Sequence, residues 1–429
     1  MSVTTDGSPP PKAGSAEAKA AYDRRWRRLL DTVALKRTDR MPVVLYATFW
    51  LAKYGGVSHK SLMYDYESTK AICERAVLEF DPDFTNNLVL FTAMGPMMEA
   101  MGLKTLQWPG HGVAEDMPYQ YLEYEYMKAA DYPEFLHDPT NYYLKKFLPQ
   151  VAEVFEGFVH LPPFPTMSGL RVMSTIRAFA NPALKASLTR LMAAADEVER
   201  FGGHCAAFAR RAAELGYPLM TNTLAGNPFD AVADYWRGAI GGLTDMRRHP
   251  EQLLAAMDKV APYMLAQIVG AAKAANHPVI MITTHWPGDT FMSQKQFETF
   301  WWAPFKKQLL GFIEAGLIPM VLWEHECDKR LETIADVPAG KCIYWFERTD
   351  NLIRAHEIMG DRVALRGGVM ASTMVTGKPA DVDAEVKHVV DKVWNKGGHL
   401  ILDCGIGIPD ETPIDNVRAM FRAARQYAG

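Results

Sequence analysis

From residue 278 onward, short apolar runs alternate with longer amphipathic stretches. PVIMITTH (278–285), IPMVLWEH (318–325), KCIYWFE (341–347), VALRGGV (363–369) and HLILDCG (399–405) read as strands. Residues 293–316, 351–359 and 381–395 read as helices, followed by Gly316, Gly360 and Gly397-Gly398. Ser293 and Gln296 have capping-box spacing, and Thr412-Pro413 is expected to start a last helix, with Pro413 at its first position. Strands and helices alternating every 20 to 40 residues imply parallel βα units. A chain of 429 residues, 48% of them hydrophobic, can bury a large core. The expected fold class is therefore α/β, closed as a single (β/α)8 TIM barrel with its site at the C-terminal ends of the strands.

The N-terminal half is less regular. Residues 1–17 are rich in Ser, Pro, Gly and Ala and are expected to be a disordered tail, leaving 18–429 for the barrel. Residues 18–33 read as a helix with Arg24, Arg25, Arg27 and Arg28 on a solvated face. MPVVLYATFW (41–50) reads as the first strand. Residues 68–80 read as a helix ended by Asp81, Pro82 and Asp83. Residues 105–165 are crowded with Tyr, Pro and Trp and read as an irregular cap inserted into the barrel. Residues 181–215 suggest one or two helices, and 220–226 a short strand.

Charge narrows the function. The net charge of -4 leaves no basic footprint for nucleic acid or an anionic membrane. No apolar run reaches the roughly 18 residues of a spanning helix, and the N-terminus has no apolar signal core, so a cytoplasmic protein is expected. Five cysteines (Cys73, Cys205, Cys327, Cys342 and Cys404) are too few for a disulfide framework in so long a chain. The oligomeric state stays open, with a homodimer among the options.

Four predicted strands end in reactive residues: His285, His325 with Cys327, Glu347, and Cys404. His325 and Cys327 are two apart and share a face if extended. In a barrel these ends converge. His325, Cys327 and Cys404 could then hold Zn2+ with an open fourth position, the pattern of catalytic zinc. Cys342 competes as a third ligand, but it sits at the start of its strand. Glu347 and His285 are candidate catalytic groups, although Glu347 could instead pair with Arg348 or Arg366, and His285 could simply be packed. Glu324 and Asp328 could orient the ligands. Trp286, Trp323, Trp345 and, more weakly, Tyr344 could line an aromatic pocket; alternation points Tyr344 the other way.

HECD, EIMGDRVALRGGVMASTMVTGKPADVDAEVK and above all GGHLILDCGIGIPDETPIDNVRAM resemble the uroporphyrinogen decarboxylase superfamily. They are similar in particular to its zinc- and corrinoid-dependent methyltransferase branch, the coenzyme M methyltransferases and O-demethylase methyltransferases. DTFMSQKQFETFWWAPFKKQLLGFIEAG is similar to the helix before that branch's zinc strand. The resemblance implies zinc on His325, Cys327 and Cys404, although CGIGIPDETP is two residues longer than usual there. It also implies methyl transfer between a small organic substrate and a cobalamin. The D-x-H-x-x-G corrinoid signature is missing, so a separate corrinoid protein would supply the cobalamin. The decarboxylase's pyrrole-reading Asp falls on Ala93 in Phe91-Thr92-Ala93-Met94, and its propionate-gripping arginines fall on YATFWL (46–51), which has no cation. Both losses disfavour porphyrinogen decarboxylation. The aromatic cap favours a methoxylated aromatic donor. A decarboxylase or lyase acting on another acid, and a non-catalytic barrel that binds a ligand or a corrinoid partner, are the alternatives.

Overall fold

The computed structural model describes residues 12–162 and 169–429. Most of the expected tail, residues 1–11, lies outside them, as do residues 163–165 of the expected cap. The tail ends sooner than expected. A helix runs over Ala16–Val33, and the Ser15 hydroxyl accepts the Ala18 N–H at its start.

Two strands come early, β1 (Val44–Leu45) and β2 (Phe84–Thr85). Three more lie in the aromatic insertion: β3 (Leu106–Pro109), β4 (Gly112–Val113) and β5 (Gln120–Tyr121). The main sheet follows: β6 (Thr223–Ala225), β7 (Val279–Thr284), β8 (Ile318–Trp323), β9 (Ile343–Phe346), β10 (Ala364–Val369) and β11 (Leu400–Cys404). These six are hydrogen-bonded in sequence order, and every pairing is parallel. β1 and β2 form a separate parallel pair. Single bridges link that pair's neighbourhood to Leu402 of β11, through Val43, and to Leu219 in the segment ahead of β6, through Thr85. The Leu402 N–H donates to Pro42 O at 2.8 Å and the Met220 N–H to Thr85 O at 2.8 Å.

Alternation along each strand divides the core in two. Val44, Tyr46, Phe84, Val279, Met281, Met320, Leu322, Ile343, Trp345, Ala364 and Ile401 pack with one another; Leu29 and Val33 of the N-terminal helix close this cluster. The residues between them, such as Ile280, Val321, Trp323, Tyr344, Leu402 and Cys404, join a larger cluster with Trp301, Phe305, Val386 and Phe421 of the surrounding helices. The first cluster is thus enclosed by strands, and the second lies between strands and helices. Wholly buried Arg366 sits in the first, stacked 3.6 Å over Trp345 and paired with wholly buried Asp403 at 2.5 Å.

Several expectations change. Arg25 and Arg28 do not face solvent; they turn inward to Asp81 and to Asp39 and Asp83, while Arg24 and Arg27 are exposed. Carboxylates on the loops beneath the helix draw these two inward. The Ser293 box caps its helix as expected, but the backbone passes through a π stretch at Phe297–Trp302 before Ala303–Glu314. Thr412 caps nothing: Pro413 occupies the cap position of Ile414–Ala428, and buried Thr412 Oγ1 has no partner. Residues 181–215 form one helix, Pro182–Glu214.

Candidate active site at the C-terminal strand ends

β6 is followed at once by a capped helix. Asn227 Oδ1 accepts the Asp230 N–H at 2.9 Å, and Pro228 takes the first turn of Pro228–Tyr235. Asp230 and Asp234 are four apart and share one face of this helix. β7 ends directly before His285 and Trp286, β8 before Glu324 and His325, and β9 before Glu347. Because the strands are parallel, all of these residues emerge at one end of the sheet.

They meet there. His285 Nδ1 lies 2.6 Å from Asp234 Oδ2, and the His285 N–H donates to Asp230 Oδ2 at 2.7 Å. Trp286 Nε1 donates to Asp234 Oδ1 at 2.5 Å, and Trp301 Nε1, from the π stretch, to Asp230 Oδ1 at 2.9 Å. These four bonds fix both carboxylates and orient the imidazole, leaving its Nε2 4.0 Å from Glu324 Oε1. Burial disfavours the imidazolium, but the Asp234 hydrogen bond and the charges of Asp234, Asp230 and Glu324 outweigh it and hold His285 at about 9. Burial, and then the charge of Asp234, push Asp230 up to about 7. Burial and the charges of Asp230 and Glu347 push Glu324 to about 7 against the pull of His285. Desolvation and the charge of Asp234 also raise the phenol of Tyr121, which brings β5 of the insertion into the neighbourhood of the cluster.

The zinc set expected from the sequence does not assemble. Among the described residues, the His/Cys/Asp/Glu ligand atoms that gather in a group of three within 4.8 Å belong to Asp230, Asp234 and His285. His325 lies past the strand, with φ 66° and its ring 5.2 Å from Phe291, so the shared face expected for His325 and Cys327 is lost. Cys327 and Cys404 are both wholly buried. Cys404 has the parity of Leu400 and Leu402 and faces the helices, away from the strand-enclosed interior. As they stand, His325, Cys327 and Cys404 do not fit a zinc ion. Cys342 lies buried just before β9, at the opposite end of the sheet.

The other expectations separate. Glu347 pairs with neither Arg348 nor Arg366; its Oε2 accepts the His325 N–H at 2.6 Å. Asp328 bonds Asn351 Nδ2 at 2.7 Å, and Asn351 Oδ1 accepts the Cys327 N–H at 3.3 Å. Trp286 borders the cluster. Trp323 is wholly buried beside Trp301, Trp302 and Tyr344, because its parity turns it to the helices. Trp345 is equally buried, within the strand-enclosed core under Arg366, with Nε1 on Cys404 O at 3.2 Å. Tyr344 points opposite to Trp345, as expected, with its hydroxyl on Ile334 O at 2.9 Å. Sequence reading missed Asp230 and Asp234. Their signal was NPFDAVAD, a capped helix start with two acids one turn apart directly after a strand.

The family profile described as uroporphyrinogen decarboxylase (URO-D) matches residues 173–427. The uroporphyrinogen decarboxylase of Alkalilimnicola ehrlichii is 26% identical over 319 residues, covering 71% of this chain and 83% of that protein. That of Methylibium petroleiphilum is 26% identical over 323 residues, covering 71% and 84%. Among solved structures, a methyltransferase from Methanosarcina mazei superposes with a TM-score of 0.57 at 16% identity, over 93% of this chain and 98% of that one. That likeness is one of fold.

Proposed function

The chain belongs to the uroporphyrinogen decarboxylase family, and from that premise we propose that it is a methyltransferase. It works at the open end of a (β/α)8 barrel and moves a methyl group between a small organic substrate, a methoxylated aromatic being favoured, and the cobalt of a separate corrinoid protein. The observation that carries this reading is the Asp234–His285–Glu324 array, with Nδ1 of the imidazole tied down and Nε2 turned toward Glu324.

In demethylation of an aryl ether the O–CH3 bond breaks and its electron pair stays on oxygen. The methyl group passes to the cobalt(I) of the partner protein, which supplies the electron pair of the new bond. The aryloxide is a poor leaving group unless its charge is met. His285, protonated below about pH 9, offers the Nε2 proton to that oxygen, and Asp234 holds the ring in place. Glu324 sits near its neutral point at about 7 and can take up or return the proton between turnovers. Trp286 and the tyrosines of the insertion supply the aromatic wall. Glu347, through the His325 N–H, positions the loop after β8.

The charge at this end argues against a porphyrinogen. Asp230, Asp234 and Glu324 stand around His285, with the Glu347 charge next to Glu324, and such a site repels a polycarboxylate. Ala93, at the position of the pyrrole-reading Asp, is wholly buried.

The test is a screen of methoxylated aromatics against cob(I)alamin with the purified chain, read by absorbance. Methylcobalamin and the matching phenol are the expected products. Release of CO2 from a carboxylic acid substrate, with no methyl transfer, would favour the decarboxylase reading instead.

A further inference from the structure

The longest helix among the described residues, Pro182–Glu214, has two faces of different character. The inner one is settled by packing. Leu184, Ala194, Phe201, Phe208 and Ala212 are buried, and the helix lies against the 3-10 stretch Glu153–His160 and the helix Gly95–Met101. The charges that flank this face are paired within the chain: Arg190 with Glu153 and Glu156, Arg200 with Glu197, and Arg211 with Glu74.

The outer face is different. Lys185, Thr189, Met192, Asp196 and Glu199 follow one another at spacings of four and three, and all five are exposed. Residues so spaced form one line along a helix, the repeat of a two-stranded coiled coil. Met192, in the middle of the line, is 72% exposed, with half-buried Leu188 and exposed Ala195 beside it. The side chains of Lys185, Asp196 and Glu199 form no ion pair among the described residues.

The order of the charges selects the partner. Lys185 lies seven residues, two turns, before Met192, and Glu199 lies seven after it. The line is therefore basic at one end, apolar in the middle and acidic at the other. A two-fold axis through Met192 lays a second such helix antiparallel on the first. Each Lys185 then stands opposite the partner subunit's Glu199, with the two Met192 side chains between the two pairs. A face that is complementary to itself is what an isologous dimer contact requires. On the same alignment Pro182 stands opposite the partner subunit's Gly202. The helix beyond that glycine runs on toward Leu170, Met173 and Ile176, which precede Pro182 and are 82%, 64% and 62% exposed. A Cβ at Gly202 or Gly203 would meet open space, so nothing within one chain calls for glycine there, and glycine weakens a helix interior.

We propose that the outer face of Pro182–Glu214, centred on Met192, is the contact through which two copies of this chain form an antiparallel, two-fold dimer. No residue of this face belongs to the strand-end cluster, and the dimer does not depend on the reaction which that cluster performs.

The test is sedimentation velocity of the full chain at concentrations up to about 0.1 mM, with circular dichroism to check that each variant is folded. The wild type should sediment as two chains, and less so at high salt, because salt screens exposed charge pairs. Lys185→Glu and Glu199→Lys each set like charges opposite one another, and each should weaken the dimer at least ~10-fold. The double swap, Lys185→Glu with Glu199→Lys, rebuilds both pairs in reverse and should restore the affinity to within about 3-fold. Met192→Glu, which puts a charge at the apolar centre, should leave the chain monomeric. A wild type that stays monomeric at every concentration would overturn the proposal. So would a dimer that none of these variants weakens, or single variants that weaken it without rescue by the double swap. Should one single variant fail to fold, the other still decides together with the double swap.

Discussion

Two charged clusters in this molecule are built on opposite rules. Inside the sheet, Arg366 and Asp403 are each wholly buried, and one guanidinium answers one carboxylate at 2.5 Å. At the strand ends, Asp230, Asp234 and Glu324 crowd a single half-buried imidazole. The first arrangement pairs its charges one to one, although burial still lifts Asp403 to about 6 against the pull of Arg366. The second leaves two acids near pH 7 and a base near 9. Groups poised in that way are suited to moving protons or holding cations, and they cluster at functional sites. Charge pairing separates the two roles; burial alone does not.

The sharpest way to break the comparison is to remove one basic group from each cluster. His285→Gln should cut turnover by roughly 10²–10⁴-fold, the usual share of a positioned acid, and should lower stability only below about pH 9, where the imidazolium contributes. Arg366→Ala should do the opposite, costing about 3–5 kcal/mol of stability by stranding the Asp403 charge, as read by urea unfolding. If both variants lose stability equally and neither loses turnover selectively, the distinction fails.

Asp234→Asn tests the orienting bond. It should lower activity by roughly 10–100-fold. It should also bring the His285 titration, followed by NMR, down from about 9 toward its ordinary 6.5. An unchanged titration would place the cause of the shift elsewhere.

The pH dependence of stability sharpens the same point. Asp230, Glu324 and His285 all have folded values raised above their ordinary 3.8, 4.5 and 6.5. Each binds more protons folded than unfolded, so the cluster's contribution to stability falls as pH rises. The His285 part is fully present below 6.5 and is lost as pH rises through about 9. His285→Gln should flatten that upper limb in unfolding experiments at pH 6 and pH 9.5; a limb of unchanged slope would contradict the assignment. The smallest effect is expected from Trp323→Phe, which should cost about 1 kcal/mol of stability as a core change and leave substrate affinity unaltered. A weakened substrate affinity would return Trp323 to the pocket wall.

The parallel sheet was legible because β7 to β11 are short, mostly apolar runs and all but β8 are followed by a helix that can be read from its pattern. The ends of these strands were also legible, which is how His285 and Glu347 came to be singled out. The direction of a side chain at a strand end was not. His325 turns through a positive φ, and Cys404 takes the parity that faces the helices, so ligand spacing on an ideal strand misplaced both. Trp323 was misplaced by the same parity. Arg25 and Arg28 sat in a basic run that looked solvated until Asp39, Asp81 and Asp83 came beneath it from other segments. Asp230 and Asp234 follow β6, which lies within the short strand expected at 220–226, but its end carries no reactive residue of its own and drew no attention to the helix after it. Their partners, His285 and Trp301, are 51 or more residues further on in the chain.

The most direct measurement is the rate of cob(I)alamin methylation from a methoxylated aromatic donor by the wild type, His285→Gln and Trp323→Phe side by side. The account predicts methylcobalamin formation by the wild type, near-complete loss in His285→Gln and a retained rate in Trp323→Phe. Equal rates in wild type and His285→Gln, or a wild-type rate no higher than that of cob(I)alamin alone with any donor, would contradict it.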